Sequence, residues 1–435
     1  MRRTLVSALL AAALLAACGS SAKTGSPAPG SPAPGSTAPG STFPVDPNVV
    51  LTKVGEPGPL PAADVLSAAG SGEQAFALSL YGQVASGAGN VAIAPSSIAT
   101  VLGMVAAGAK GATEQQLVDA LHVAVPADQL HAAIGGLVRA LQQRSGDGVT
   151  LSEVDQTWVQ QRLALLQDFT RTLTRDYASP LASIDFADPQ HAAATINAWV
   201  SVRTHGKIPK LVSAESLDSA AVVLTDAVYL DAKWEHGFDP HKTTNQPFRL
   251  ATGSTVSVPT MTQTTHLSAG KGAGWTAVAL PYKGGKLEMD VVVPDDLAQF
   301  ERGLDAARLD EIVTSLKPAQ VDLRIPRFEF RKHFDNLRDA LGKLGVRDAF
   351  DPDRADFSGM TSQVQLFLAT VVHEAFVHVD EQGTVAAGAT GGIMQPTSAE
   401  VVVPVHADKP FLFLVRDPAT GAIVFLGRVA DPRAS

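Results

Sequence analysis

The order of apolar patterns along the chain limits the fold to a class in which helices and strands are segregated. Apolar residues recur at helical spacing in four segments, three of them in the first third of the sequence: 76–84, 98–105, 130–141 and 337–344. Runs rich in β-branched and aromatic residues dominate later: 221–230, 286–294, 321–328, 365–380, 410–417 and 421–429. Many of these runs are apolar on both faces, as in the central strands of a covered sheet. Helices first and strands later predict an α+β fold.

Composition fits an ordinary globular protein with an ample core. The chain has 435 residues, of which 45% are hydrophobic and 18% charged. Its length allows one large domain or two smaller ones, but no low-complexity break interrupts residues 61–435, which favours a single domain. The formal net charge is -9 and no long basic run occurs. These charges exclude a nucleic-acid-binding surface.

The first eighteen residues are predicted to be an export signal. Arg2 and Arg3 precede an apolar run at 5–17 that is too short to remain in a membrane as a permanent helix. The sequence LAAC at 15–18 looks like a bacterial lipobox, in which Cys18 becomes the lipidated first residue after cleavage; an ordinary signal peptide is the alternative. We therefore expect an exported protein, anchored to the outer face of the cell membrane through Cys18 or released outside. Cys18 is the only cysteine, so no intramolecular disulfide can form.

Residues 19–60 are predicted to be a disordered tether. Between 19 and 44 the chain is almost entirely Gly, Ser, Pro, Ala and Thr, with a GSPAPG repeat. Such a segment cannot bury enough surface to offset its ordering entropy. The folded domain is therefore expected to begin near residue 61.

Segments that look like enzyme motifs have the wrong spacing between their key residues. In GMVAAGAK (103–110), Lys110 falls one residue late for a phosphate-binding loop, and the apolar periodicity indicates a helix ending. His373 and His378 flank Glu374 but are five residues apart, about 140° around a helix and on opposite faces of a strand, so they do not predict a zinc site. No G-x-S-x-G elbow occurs. We expect no metal, no cofactor and no enzyme activity, although a Ser-His-Asp triad assembled in three dimensions stays open.

A tract of small residues, EQGTVAAGATGG (381–392), follows the strand pattern at 365–380. By itself such a tract is compatible with a surface loop, because it has little to bury and much backbone entropy to lose. If it continues the strand, its inward positions follow a period of two. These positions are all small: Thr384, Ala386, Gly388, Thr390 and Gly392. None of them would have to be forced past a bulky neighbour on entering a packed sheet.

Ten stretches spread over about residues 72–431 have distinctive sequences. They are NVAIAPSSIATVLGMVAAGAKGATEQQL (90–117), INAWVSVRTHGKIPKLV (196–212), VLTDAVYLDAKWEHGFDP (223–240), VPTMTQ (258–263), LPYKGGKLEMDVVVP (280–294), IPRFEF (325–330), LGKLGVRDAF (341–350), ADFSGM (355–360), VVHEAFVHVDEQGT (371–384) and DKPFLFLVRD (408–417). Taken in this order, they resemble the serpin family of serine protease inhibitors. The resemblance implies an α+β fold of three β-sheets with about nine helices and an exposed reactive loop at about 381–403. It also implies that the partner is a target protease, a serine or cysteine endopeptidase. That protease cuts the loop and is trapped as a covalent acyl-enzyme when the loop inserts into the central sheet.

The resemblance assigns roles at the top of the central sheet. Glu381 matches the acidic residue at the proximal hinge of the loop, and Arg327 matches the basic residue that pairs with it. Trp234 matches the tryptophan packed beneath this region. The implied hinge comprises Glu381, Gly383, Thr384, Ala386, Ala387, Gly388, Ala389 and Thr390.

A second cluster is implied where the central strands part. Ser97 and His373 match it, whereas Ala94 stands where serine is usual and Asp226 where asparagine is usual. Asp226 could accept a hydrogen bond from His373 and raise the affinity of that ring for a proton. Sheet opening is then expected to depend on pH, and polymerisation or inhibition rates that stay flat between about pH 5 and 8 would remove the idea.

The bond to be cut is placed by counting. The usual family spacing from Glu381 gives the bond between Thr397 and Ser398, whereas counting back from Pro410 and Phe411 gives one nearer Ala399; the window is Met394 to Ala399. A small uncharged threonine does not suit a trypsin-like pocket, which favours elastase-like or subtilisin-like targets. Cleavage after Met394 or Gln395 would favour chymotrypsin-like targets instead.

Two functions remain open at this point. The first is a tethered, monomeric protease inhibitor, and the alternative is a non-inhibitory serpin-fold binding protein. Bulky, charged or proline residues early in the hinge would favour the alternative, but the first proline after Glu381 is Pro396, and Val385 is the one larger residue in 383–392. A dozen inserted residues could gain on the order of 10 kcal/mol in backbone hydrogen bonds, which rivals the whole stability of a domain.

Overall fold

The structure, a computed structural model, describes residues 50–52, 55–153, 156–179, 181–218, 220–225, 227–368, 371–384 and 401–434. In these residues there are nine α-helices: α1 Ala63–Val84, α2 Pro95–Ala106, α3 Gly111–Leu121, α4 Leu130–Gln142, α5 Gln167–Tyr177, α6 Pro189–Arg203, α7 Leu297–Arg302, α8 Ala306–Ser315 and α9 Arg338–Lys343. None of these helices is long and apolar enough to cross a membrane.

The same residues form eighteen strands. They are β1 Val50–Thr52, β2 Val91–Ile93, β3 Val149–Glu153, β4 Gln156–Gln160, β5 Leu181–Ile184, β6 Val222–Thr225, β7 Val228–Lys233, β8 Thr244–Arg249, β9 Thr255–Gly272, β10 Trp275–Pro281, β11 Glu288–Pro294, β12 Lys317–Pro326, β13 Phe328–Phe334, β14 His373–Val379, β15 Gly383–Thr384, β16 Val402–His406, β17 Phe411–Arg416 and β18 Ile423–Val429. The predicted α+β class with about nine helices is confirmed.

The largest sheet has nine strands in the order β16-β12-β9-β10-β11-β17-β18-β2, with β8 also paired to β9. All residues of β17 and β18 are buried, because their FLFLVR and IVFLGRV sequences are covered on both faces. The long strand β9 escaped prediction from sequence because its many threonines and lysine interrupt the apolar pattern. Its TVSVPTMTQTTHLSAGKG sequence nevertheless alternates buried and exposed positions over part of its length.

The remaining strands form three separate ladders, which we together call the central sheet. One has the order β1-β5-β4-β6, the second β15-β7-β3, and the third joins β13 to β14. Strand β6 of the first ladder is followed in the chain by β7 of the second ladder. The first two ladders are therefore connected through consecutive strands. Within the described part of the chain no ladder joins β7 to β14. The central sheet therefore has a gap between these two strands.

One strand boundary differs from the prediction. Of the strand predicted at 365–380, residues 373–379 form β14, whereas residues 365–368 form no strand and line a cavity. Before residue 61, β1 pairs with β5, and the N–H of Gly58 donates to the carbonyl oxygen of Arg175 at 2.8 Å. The apolar residues Val50 and Leu51 already end the tether-like composition and favour a strand.

Helix α2 is buried along its whole length. It begins with Pro95 in the first turn, where a missing N–H is tolerated, and all twelve of its residues are buried. An apolar helix of this kind belongs in a protein interior. It ends at Ala106, where the N–H of Gly108 donates to the carbonyl of Val105, so the segment 103–110 contains the predicted helix ending.

Candidate functional site

The hinge begins with a buried carboxylate directly after β14. The side chain of Glu381 is 5% exposed, and Arg327 Nε lies 2.7 Å from Oε1 and 2.9 Å from Oε2. The hydroxyl of Thr243 also donates to Oε1. The Arg327 side chain is 45% exposed, so only the acid of this pair is desolvated. Losing the guanidinium would leave a buried charge with little compensation.

Trp234 forms the floor of the turn that follows. Its indole lies parallel to the Tyr282 ring, with centroids 4.7 Å apart and planes 9° from parallel. The indole Nε1 donates to the carbonyl of Asp380 at 2.9 Å, and the Trp234 backbone N–H donates to the carbonyl of Gln382 at 2.8 Å. The tryptophan thus binds both ends of the turn and fixes its position on the sheet.

Gly383 and Thr384 already lie in the central sheet. They form β15, which pairs antiparallel with β7 in the register Gly383 to Lys233 and Thr384 to Ala232. Thr384 is buried, and its Oγ1 lies 2.8 Å from the hydroxyl oxygen of Tyr282. Burial raises the pKa of that tyrosine, so its hydroxyl stays protonated. The first loop residues therefore occupy the sheet position that a further strand would continue.

Gly383 could not be replaced by a larger residue without strain. Its φ is +154°, and a Cβ at this position would lie 2.0 Å from the carbonyl oxygen of Ala232. Both the backbone conformation and the close approach to β7 require glycine. The hinge sequence is thus fitted to the edge of β7.

An apolar cavity of about 360 Å³ lies beside β6. It is lined by β6 and also by Leu366 and Val371, which precede β14. Val101 and Val105 of α2 also line the cavity. A strand of small residues that continued from Thr384 would run along this cavity, since β6 and β7 are consecutive in the chain.

Ser97 and His373 lie close to the start of α2. The backbone N–H of Ala94 donates to His373 Nε2 at 3.0 Å, so this nitrogen is unprotonated in the structure. His373 and Ser97 are both fully buried, and Ser97 Oγ has no hydrogen-bond partner in the described residues. Asp226 lies outside those residues, so its predicted bond to His373 stays a prediction. His373 and His378 lie on opposite faces of β14.

Several predicted residues lie outside the described part of the chain. They are Cys18, Ala386, Ala387, Gly388, Ala389, Thr390, Met394, Thr397, Ser398 and Ala399. Conversely, the structure brings Thr243, Tyr282 and Asp380 to the hinge, and none of them was predicted. Tyr282 follows the apolar strand β10 in the sequence LPYKGG, but sequence alone does not show which side chain it meets.

Comparison with known proteins agrees with this architecture. The profile of the Serpin (serine protease inhibitor) family matches residues 71–432. Leukocyte elastase inhibitor of Bos taurus is 35% identical over 358 residues, covering 79% of this chain and 94% of that protein. The solved structure of maspin superposes with a TM-score of 0.78 at 25% identity, covering 85% of this chain and 100% of maspin.

A thyroxine-binding globulin complex with thyroxine superposes with a TM-score of 0.74 at 26% identity, covering 83% of this chain and 99% of that chain. The family match spans the α-helical first half, the sheets and the hinge residues described above. The chain therefore belongs to the serpin family, whose members are described as serine protease inhibitors and not as enzymes.

Proposed function

We propose that this serpin inhibits serine endopeptidases by offering the loop after Thr384 as a substrate and then inserting it into the central sheet. The observation that carries the proposal is the pairing of Gly383 and Thr384 with β7 beside the gap that separates β7 from β14. Each further inserted residue could bond to the free edges of both strands. The small residues of 386–392 suit such an entry.

The chemical step belongs to the target protease. Its catalytic serine oxygen attacks the carbonyl carbon of Thr397, the bond to Ser398 breaks, and Ser398 leaves with a protonated new amino terminus. The protease then holds Thr397 as an acyl ester, which water would normally hydrolyse. Insertion of the loop drags the ester away from its productive geometry before that hydrolysis occurs. The outcome depends on which of these two steps is faster.

The target class follows from the cut site. Thr397 is small and uncharged, which suits an elastase-like or subtilisin-like pocket. The relative from Bos taurus is by its name an inhibitor of leukocyte elastase, which supports the same class. We therefore propose elastase-like serine proteases as the first targets to test.

We further propose that the protein acts outside the cell, held to the membrane by a lipid on Cys18. Support comes from the LAAC sequence and from the tether-like composition that follows it. Radiolabelled palmitate should be incorporated into the full chain and not into Cys18→Ser, and this variant should leave the membrane fraction. Equal labelling of both chains would contradict the anchor without affecting the inhibitor proposal.

The decisive experiment mixes the purified domain with elastase, subtilisin and chymotrypsin and looks for complexes that survive SDS. We expect a complex with elastase or subtilisin, together with a released carboxy-terminal peptide whose first residue is Ser398. Sequencing that peptide tests the cut site independently. Cleavage by all three proteases without any complex would refute inhibition and favour the non-inhibitory binding protein.

A further inference from the structure

The side chain of Asp380 caps the turn between β14 and β15. Asp380 Oδ1 accepts hydrogen bonds from the N–H groups of Gln382 at 2.8 Å and Gly383 at 3.3 Å. The Asp380 N–H in turn donates to the carbonyl of Gly383 at 3.0 Å. This capped turn reverses the chain so that β15 can run antiparallel to β7. Asp380 is therefore one of the groups that hold the turn from which the loop enters the sheet.

His378 connects that carboxylate to a neighbouring strand. Its Nε2 lies 3.3 Å from Asp380 Oδ2, and its Nδ1 is hydrogen-bonded to Glu329 Oε2, directly across the β13–β14 ladder. Ionised carboxylates only accept hydrogen bonds, so both ring nitrogens must carry a proton to satisfy these contacts. The geometry thus requires a positively charged imidazolium between two acids.

We propose that His378 is a positioning residue for loop insertion: as an imidazolium it holds Asp380 in the turn-capping orientation, and its deprotonation releases Asp380 and slows insertion. This proposal rests on the proposed function, since insertion is the step that His378 assists. The ring itself touches neither the target protease nor the bond that is cut. It acts through the Asp380 turn, which carries Gly383 and Thr384 into the sheet.

The charges around the ring favour the protonated form. Hydrogen bonding to Asp380 and Glu329 raises the pKa of His378 above its ordinary value, although partial burial opposes the shift. On β13, Arg331 lies two residue pairs along the ladder, but its charge is paired with Glu374 at 3.0 Å. From the segment after α6, Lys207 Nζ sits 5.0 Å from the ring centre of Phe376.

On β7 the charged groups near the turn are mixed. Asp231 is repelled by Asp380 and attracted by Lys233 and His205. The two hydrogen bonds from the His378 imidazolium to Glu329 and Asp380 are fully formed below the ordinary histidine pKa of about 6.5. Because the pKa in this site is raised, the contact is lost as pH increases through that higher value.

A first test needs no protease. Trp234 Nε1 donates to the carbonyl of Asp380, so the fluorescence of this tryptophan reports on the turn. The difference in emission between the parent chain and Trp234→Phe should titrate between about pH 6 and 8, and the same difference measured in a His378→Gln background should be flat. An identical titration in both backgrounds overturns the proposal, whether or not the protein inhibits any protease.

A second test measures moles of inhibitor consumed per mole of protease inactivated, at matched pH values with one protease. Raising the pH from 6 to 8 should increase this ratio about two- to fivefold, the effect expected of one half-buried ion pair. His378→Gln should keep the higher ratio at both pH values, and Glu329→Gln should move the change to lower pH. His266→Gln, on the exposed face of β9, is the matched control and should follow the parent chain. A pH-dependent ratio that persists in His378→Gln refutes the proposal, whereas a missing complex at every pH refutes the proposed function.

Discussion

The hinge residue Thr384 offers a direct test of loop insertion, because it must stay buried for the loop to enter. We consider Thr384→Arg. The native side chain is 4% exposed, pairs with Ala232 of β7, and its Oγ1 lies 2.8 Å from the hydroxyl of Tyr282. An arginine at this position would replace a buried, hydrogen-bonded hydroxyl with a long charged group.

The magnitude follows from these contacts. Loss of the Thr384–Tyr282 hydrogen bond costs about 1 kcal/mol, and burial of the unpaired charge costs several kcal/mol more. Because Thr384 is already buried in the uncut protein, the arginine is expected to relieve these costs there by displacing β15 from β7. Insertion must then bury the arginine again, and a barrier higher by about 4 kcal/mol slows this step on the order of a thousandfold. Formation of the acyl-enzyme is unaffected, since the cut bond lies in the window 394–399, beyond the hinge. Hydrolysis of the ester should then overtake insertion, and the inhibitor should become a substrate.

The assay compares SDS-resistant complex with cleaved serpin over time. Thr384→Arg should give complete cleavage with little complex, whereas Thr384→Ser keeps the hydroxyl and should behave as the parent chain. Asn245→Arg adds the same charge at an exposed position of β8 and controls for net charge. An unchanged yield of complex from Thr384→Arg would falsify the insertion mechanism.

Three further predictions concern the hinge and the core. Arg327→Ala should speed polymerisation on warming, measured on native gels. Loss of this ion pair should destabilise the closed sheet by about 1 kcal/mol, because Glu381 stays buried while Arg327 is 45% exposed. An unchanged rate would show that the pair does not hold the sheet closed. Gly383→Ala should displace β15 from β7 in the uncut protein, because its Cβ would meet the carbonyl oxygen of Ala232. Insertion must then overcome this strain and should slow at least tenfold, and normal complex formation would contradict the prediction. Burial raises the pKa of Glu73, with repulsion from Glu153 adding to it, so stability falls as pH rises above about 4.3. Glu73→Gln should therefore raise the free energy of unfolding by about 1–3 kcal/mol at pH 8 and by less at pH 5, as measured by thermal unfolding; an equal effect at both pH values would exclude this origin.

The fold class was predictable because apolar periodicity survives in most core elements. The pattern at 98–105 predicts α2, and FLFLVR predicts β17, since each is covered on all sides and reads as continuously apolar. Residues 365–368 of the strand predicted at 365–380 form no strand, for a different reason. Their composition favours a strand, but a strand needs a hydrogen-bonded neighbour, and here the chain faces a cavity.

The hinge was predictable in its sequence and not in its contacts. The pairing of Arg327 with Glu381 came with the family resemblance, and the structure brings the two side chains together. The bond from Tyr282 to Thr384 and the position of His378 opposite Glu329 depend on strand register. Register between distant strands is a property of the assembled sheet, so no local pattern reveals it.

The gap between β7 and β14 also has a consequence for how molecules of this protein treat one another. Unpaired strand edges accept any chain of small residues, including the loop of a second copy. The molecule's own loop is covalently attached at Thr384, which corresponds to an effective concentration of roughly millimolar, whereas free copies compete at their bulk concentration. In dilute solution self-insertion therefore wins by a large factor. Confinement of many copies to one surface would raise the concentration of competing loops and reduce this advantage of self-insertion. The surface density at which copies begin to insert loops into one another is therefore set by crowding and not by affinity.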